Sequence, residues 1–240
     1  MRRLLLALQF LTRLPLPAVR ADAEDFAKSM RWFPLAGLVV GAAVAGAWWL
    51  GSRLGDPWLA ALLGLAAWTG MTGALHLDGL GDIADAAGAA HKSRERMLEV
   101  LADPHIGSFG AVAIGVQLIA KLVLLHGLVA INAFPAIALI PFAARVGPLL
   151  WTRWLPDLHP GLAARFRDVV RPVDLALWTL AWLGAGWFSP SLLVTPVLLF
   201  GWAAWLWRKL GGISGDGHGG GIEVTETGLL LAALILTRLA

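Results

Sequence analysis

Residues 76–85 read His76-Leu77-Asp78-Gly79-Leu80-Gly81-Asp82-Ile83-Ala84-Asp85. On an α-helix, side chains at i, i+4 and i+7 fall within about 60° of one another, so Asp78, Asp82 and Asp85 share one stripe. Three ionised carboxylates at that spacing repel. A divalent cation keeps all of them charged, and an all-oxygen donor set selects a hard ion, Mg2+ or Mn2+. The alternative is a solvated helix face that happens to be acidic. Against it stand Gly79 and Gly81, each of which weakens a helix and is kept all the same.

Two further segments carry groups suited to a phosphorylated ligand. Lys92 and Arg94 have the chemistry to clamp phosphate oxygens through charge-assisted hydrogen bonds. The same residues serve equally well as topogenic charge on a surface helix, with Glu95 and Glu99 pairing to neighbouring arginines. Asp103, just before Pro104, suits a ligand or a turn cap alike, and Gly107 follows shortly after. Residues 211–221 hold seven glycines in eleven positions. Such a loop, with Gly212 and Gly215 beside Asp216, lets backbone N–H groups wrap an anion, although glycine-rich loops are also plain linkers. It lacks the Gly-Lys-Ser/Thr ending of a nucleotide-binding loop, and His218 inside it is as readily a bystander as a ligand. The chain has no cysteine, which excludes disulfides, thiolate zinc sites and cysteine nucleophiles. No Ser-His-Asp or paired-Glu spacing stands out.

These groups must be positioned by elements that live in lipid. Hydrophobic residues make up 58% of the 240 and charged residues 15%, too apolar a balance for a soluble domain. Apolar runs at 32–50, 58–75, 109–131, 133–150, 175–188 and 191–207 approach the roughly 20 residues a bilayer crossing requires. A seventh candidate, 227–240, is short and carries Arg238. The expected architecture is an all-α, polytopic membrane helix bundle of six to seven transmembrane helices. All of it, residues 1–240, forms one catalytic domain. The N-terminus imitates a secretory signal, but Arg13, Pro15 and Pro17 interrupt it early, which favours an interfacial helix that stays with the protein.

Counting Lys and Arg in alternate connecting segments places fifteen of nineteen on one side, which the positive-inside rule makes cytoplasmic. Arg165 is among them. Lys121 and Arg145 fall inside apolar runs, where a charge marks a pathway, a partner or a phosphate pocket; snorkelling is the simpler account for Arg145, three residues before Pro148. No Asp or Glu is expected inside a span, which disfavours a transporter, whose coupling carboxylates sit near the midplane. The formal charge of +3 shows no basic stripe suited to nucleic acid. A metal site, basic residues and a Gly-rich segment on one membrane face together suggest phosphoryl transfer on a bulky or membrane-associated diphosphate. These residues leave the substrate open.

Five blocks carry a resemblance: 8–15 (Leu8-Gln9-Phe10-Leu11-Thr12-Arg13-Leu14-Pro15), 32–37 (Trp32-Phe33-Pro34-Leu35-Ala36-Gly37), 76–85, 94–97 with 103–110, and 211–216 with Glu223. In this order and combination the sequence resembles the cobalamin synthase family, the adenosylcobinamide-GDP ribazoletransferases. The resemblance implies joining of adenosylcobinamide-GDP to α-ribazole or its 5'-phosphate, with release of GMP, Mg2+ as cofactor, and a place in the bacterial inner membrane with the active-site loops cytoplasmic. It puts Asp78, Asp82 and Asp85 on the family's acidic motif, with Asp82 as the essential member. Asp103, Gly107 and Asp216 match other motif positions without assigned roles. Ser214 stands where the family usually has Thr, 217–220 is richer in Gly than usual, and 154–166 matches poorly, which leaves substrate contacts there in doubt. The nearest rival, a CDP-alcohol phosphotransferase, continues its Asp-Gly pair into Ala-Arg, whereas Asp78-Gly79 runs into Leu80-Gly81-Asp82. Membrane lipid is an expected partner, and homo-oligomer formation stays open.

Overall fold

The structure, a computed structural model, describes residues 2–131, 133–159, 166–167 and 169–239. Residues 160–165 of the poorly matching 154–166 stretch, Arg165 among them, and Ala240 lie outside the described residues. The chain is all-α, and among the described residues the only β pairing is an isolated bridge between Asp157 and Ile213. In chain order the helices are α1 (Arg2–Leu11), α2 (Ala23–Ser29), α3 (Phe33–Arg53), α4 (Pro57–Thr72), α5 (Leu75–Ala89), α6 (Arg94–Leu101), α7 (Ser108–Gly127), α8 (Phe134–Ala144), α9 (Gly147–Trp154), α10 (Pro172–Phe188), α11 (Thr195–Lys209) and α12 (Gly215–Leu239).

Five stretches are long and apolar enough to cross a membrane: Ala23–Arg53, Ser108–Ile131, Phe134–Trp154, Pro190–Lys209 and Gly215–Arg238. The pair α4 and α5 makes a sixth only if taken as one broken crossing, because the two helices meet at 84°. The break has a local cause. Gly73 (φ +59) caps α4 in the left-handed region, and Ala74 (φ 58) follows it there, a conformation that costs a residue with a Cβ. The second arm, α5, bears three aspartates and exposes Asp78, so its acidic face meets water rather than lipid. The expected run at 175–188 is α10, whose 17 residues fall short of the helices that pass alone.

The expectation for the C-terminus needs correcting. The Gly-rich segment is not a loop from Gly215 onward: it forms the first two turns of α12, and the provisional helix at 227–240 is only the second half of this 25-residue helix. Apolar burial drives little helix association in lipid, so close backbone packing and interhelical polar contacts matter more. Glycine supplies that packing. A Cβ on Gly51 would lie 2.5 Å from Ala60 Cα, and one on Gly64 would lie 3.1 Å from Trp48 Cβ, so both glycines let α3 and α4 pack closely. The central core gathers Val44, Trp48, Trp68, Leu125, Ile137 and Leu229, and Trp48 Nε1 donates to the Leu125 carbonyl at 2.9 Å. The N-terminal helix α1 buries Leu6, Ala7 and Leu11, and the latter two pack among Met30, Phe33 and Phe166.

Candidate active site

The helix α5 covers the whole acidic motif, so Asp78, Asp82 and Asp85 do share a helical stripe. Gly79 lets α12 approach it: a Cβ there would lie 2.9 Å from the Asp216 carbonyl oxygen and 3.0 Å from its Cα. Asp216 thereby joins the aspartate face of α5. Asp82 is half-buried, and its carboxyl is pushed up to about 6, first by burial and then by the charges of Asp216, Asp78 and Asp85. Among the described residues nothing donates a hydrogen bond to the Asp78 or Asp82 carboxylates.

Asp85 is engaged differently. Its two oxygens accept from the backbone N–H groups of Gly107 (2.7 Å) and Gly110 (3.0 Å), at the start of α7. It thus satisfies donors that a helix N-terminus leaves free and places a negative charge at the positive end of the helix. A side chain at either glycine would collide with that carboxylate, which accounts for both residues. The three carboxylates share a stripe but do not converge on one point. Among the described residues no three acidic or His side chains are grouped closely enough to hold one ion.

A cavity of about 200 Å³ opens beside α5 and the start of α12. Its polar wall comprises His76, Asp78, Gly215, Asp216 and His218, and Phe10, Met30, Phe33 and Phe166 supply apolar walls. Gly215 and Asp216 lie in the first turn of α12, where Ser214 Oγ accepts from Gly217 N at 3.1 Å. The anion-binding logic expected of a loop therefore applies to a helix N-terminus instead. Gly212 is a packing position: a Cβ there would meet the Pro156 carbonyl at 2.5 Å, and Ile213 N donates to that carbonyl at 2.9 Å.

The remaining candidates are spread out. Arg94 lies against the turn before α12, its Nη1 3.3 Å from where a Cβ on Gly211 would be, and Gly211 holds φ at +81. Lys92 is exposed in the turn between α5 and α6. Asp103 forms a turn cap, its Oδ1 accepting from His105 N at 3.0 Å and contacting His105 Nδ1 at 2.7 Å. The hydrogen bond from the His105 backbone, followed by that from its ring, holds the Asp103 carboxyl below the usual range.

Behind the cavity lies a buried ionic cluster. Lys121 Nζ sits 2.7 Å from Glu223 Oε2 and 2.6 Å from Glu226 Oε2, while Arg145 pairs with the other oxygen of Glu226. All four side chains are at most 2% exposed. The expectation that no acid lies within a span is wrong, because Glu223 and Glu226 belong to α12. They are the partners that Lys121 and Arg145 require. Gln117 Nε2 donates to Glu223 Oε2 at 2.8 Å and to Thr227 Oγ1 at 2.7 Å, and Lys121 stands 4.3 Å above the Trp68 ring. The cluster reaches the cavity through His76, whose Nδ1 lies 3.4 Å from Arg145 Nη2. A guanidinium can only donate, so Nδ1 accepts and the ring proton sits on Nε2. That Nε2 is buried without a hydrogen-bond partner among the described residues, as are both ring nitrogens of His218.

Comparison with known proteins identifies the family. The model of the cobalamin-5-phosphate synthase family matches residues 3–234. The chain belongs to the cobalamin-5-phosphate synthase family. A relative from Novosphingobium aromaticivorans, named adenosylcobinamide-GDP ribazoletransferase, is 62% identical over 98% of this chain and 97% of its own length. Relatives of the same name from Thiobacillus denitrificans and Brevibacillus brevis are 48% and 33% identical, each over at least 96% of both chains. No solved structure matches. Within this cobalamin-5-phosphate synthase family member, the sequence reading lacked His76 and Glu226 as site residues. The signal for Glu226 was present: two cations in apolar runs require two anions, and Glu223 and Glu226, three residues apart, share a helix face.

Proposed function

We propose that this chain joins adenosylcobinamide-GDP to α-ribazole or α-ribazole 5'-phosphate. A ribazole hydroxyl oxygen bonds to the phosphorus that carries the cobinamide, the phosphoanhydride breaks, and GMP leaves with the electron pair. The observation that carries this reading is the meeting of Asp78 and Asp216 in one cavity wall at the N-terminus of α12, together with family membership. The whole chain acts as a single catalytic domain. Its fifteen Lys and Arg on one side orient it as a multi-pass protein of the bacterial inner membrane with the site facing the cytoplasm.

The chain's own residues divide the work. Backbone N–H groups at the start of α12 and the Nε2–H of His76 face developing negative charge on the phosphoryl oxygens, fixed donors of the kind that stabilise a transition state. Arg94, beside Gly211, is placed to hold the nucleoside diphosphate, with the exposed Lys92 as an outer charge. A ring nitrogen of His218, without a hydrogen-bond partner among the described residues, takes the proton of the attacking hydroxyl. Asp85 fixes α5 to the start of α7 and so keeps the acidic stripe in register.

Mg2+ suits the residues present. The unbalanced charge on Asp82 and the absence of any donor to Asp78 or Asp82 fit a cation, and Mg2+ takes only one or two carboxylates while retaining water. Asp82, with Asp78 or Asp216 as a second carboxylate, is the residue that would hold it, and when bound it would supply neutralisation of charge on the leaving phosphate. The decisive experiment incubates purified protein with adenosylcobinamide-GDP and α-ribazole phosphate, with and without Mg2+, and measures GMP. Mg2+-dependent GMP release is expected from the wild type and none from Asp82→Ala at unchanged membrane insertion. Normal turnover by Asp82→Ala would sink the assignment.

A further inference from the structure

A second cavity, of about 360 Å³, lies apart from the aspartate face, where α1, the start of α3 and the start of α10 meet. Three guanidiniums line it, those of Arg3, Arg31 and Arg171, with Asp174 as the one carboxylate in its wall among the described residues. Asp174 is already committed. It accepts from Arg171 N at 2.9 Å, Arg171 Nε at 3.0 Å and Arg171 Nη2 at 2.8 Å, and lies 3.3 Å from Arg31 Nε. Arg3 pairs through its Nε with Asp25, at 3.3 Å. Counting Asp25 and Arg2, which also pair at 3.3 Å, four guanidiniums stand against two carboxylates at and next to this cavity among the described residues.

The rest of the wall is apolar and continues onto the outer surface. Trp32 and Leu177 are 37% and 60% exposed beside it, and Trp178 closes the back by donating from Nε1 to the Arg31 carbonyl at 2.7 Å. A tryptophan with its N–H tied to backbone beside an arginine group is the arrangement found where acyl chains give way to headgroups. A soluble phosphate would use only the arginines. A phospholipid would use both halves, its phosphate on the guanidiniums and its chains along Trp32 and Leu177. The arginines lie on the side that carries most of the basic residues, where anionic lipid and juxtamembrane charge attract each other.

We propose that this pocket binds the headgroup of an anionic phospholipid and anchors the N-terminal helix α1 to the bundle through it. The site is separate from the catalytic wall and does not depend on which reaction that wall performs. The test uses the full-length protein in neutral detergent, titrated with phosphatidylglycerol, phosphatidylcholine or inorganic phosphate, with bound lipid counted by native mass spectrometry. Phosphatidylglycerol should be retained, and the other two should not. At about a fivefold loss of affinity per arginine removed, Arg31→Gln with Arg171→Gln should weaken retention by about 30-fold. Should that pair fold poorly, Arg3→Gln, at a position more exposed than Arg31, should weaken retention by about fivefold at unchanged melting temperature. Equal retention of phosphatidylcholine, binding of inorganic phosphate alone, or full phosphatidylglycerol retention by both sets of variants would each overturn the proposal.

Discussion

Replacing Glu226 with Gln keeps the side chain's shape and removes one charge, which isolates the electrostatic part of the buried cluster. In the native protein Lys121 and Arg145 are balanced by Glu223 and Glu226. After Glu226→Gln, Lys121 keeps Glu223 at 2.7 Å, but Arg145 is left with the Pro141 carbonyl at 3.0 Å and no carboxylate. Removing one partner of a buried pair costs about 3–5 kcal/mol, because the surviving charge stays desolvated. For a chain of this length about 2–4 °C accompanies each kcal/mol, so the expected fall in melting temperature is roughly 6–20 °C. Intrinsic fluorescence from thirteen tryptophans reads this directly, with Trp68 stacked against Lys121 as a local reporter. The double variant Arg145→Met/Glu226→Gln leaves the neutral Lys121–Glu223 pair and should recover more than half of the loss. The reasoning fails if Glu226→Gln melts within about 2 °C of the wild type, or if the double variant is as unstable as the two single losses added together.

Three other outcomes follow from the same geometry. His76→Phe should lower kcat by about 10- to 100-fold at little change in KM, in line with the loss of one transition-state donor; an unchanged kcat would remove Nε2 from the mechanism. Gly107→Ala should displace Asp85 from the start of α7 and cost about 1–2 kcal/mol in stability, the scale of a lost helix cap, with denaturant unfolding as the readout and Ser108→Ala as the neutral control. Asp82 titrates near 6, above the ordinary 3.8, so between those values the folded state holds a proton that the unfolded chain has released. Metal-free protein therefore loses this contribution to stability as pH rises through 6, while a proton competes with Mg2+ below it. Stabilisation by Mg2+ should be larger at pH 7.5 than at pH 5.5, and the reverse order would contradict the placement of the cation on this face.

The acidic stripe was legible because a helix repeats every 3.6 residues and the aspartates keep that period. What Asp85 does was not legible, since its partners are backbone N–H groups 22 and 25 residues further along. The glycine tract misled for a physical reason. In water seven glycines argue against a helix, but here Gly219 and Gly220 pack within 3.3 Å, measured at their Cβ positions, of backbone atoms of His76 and Leu80, and close packing outweighs propensity. That single misreading hid the ionic cluster, because a loop at 211–221 placed Glu223 and Glu226 outside the bilayer. Lys121 and Arg145 were recognisable as anomalies in apolar runs, and the need for two counter-charges pointed to Glu223 and Glu226, but a loop ending at 221 kept that pair out of the bilayer.

The buried cluster also sets an order on biogenesis. A ribosome delivers Lys121 and then Arg145 some eighty residues before Glu226 is made, so α7 and α8 enter the translocon carrying two cations with no counter-ion. Their counter-charge comes only with α12, which carries Glu223 and Glu226.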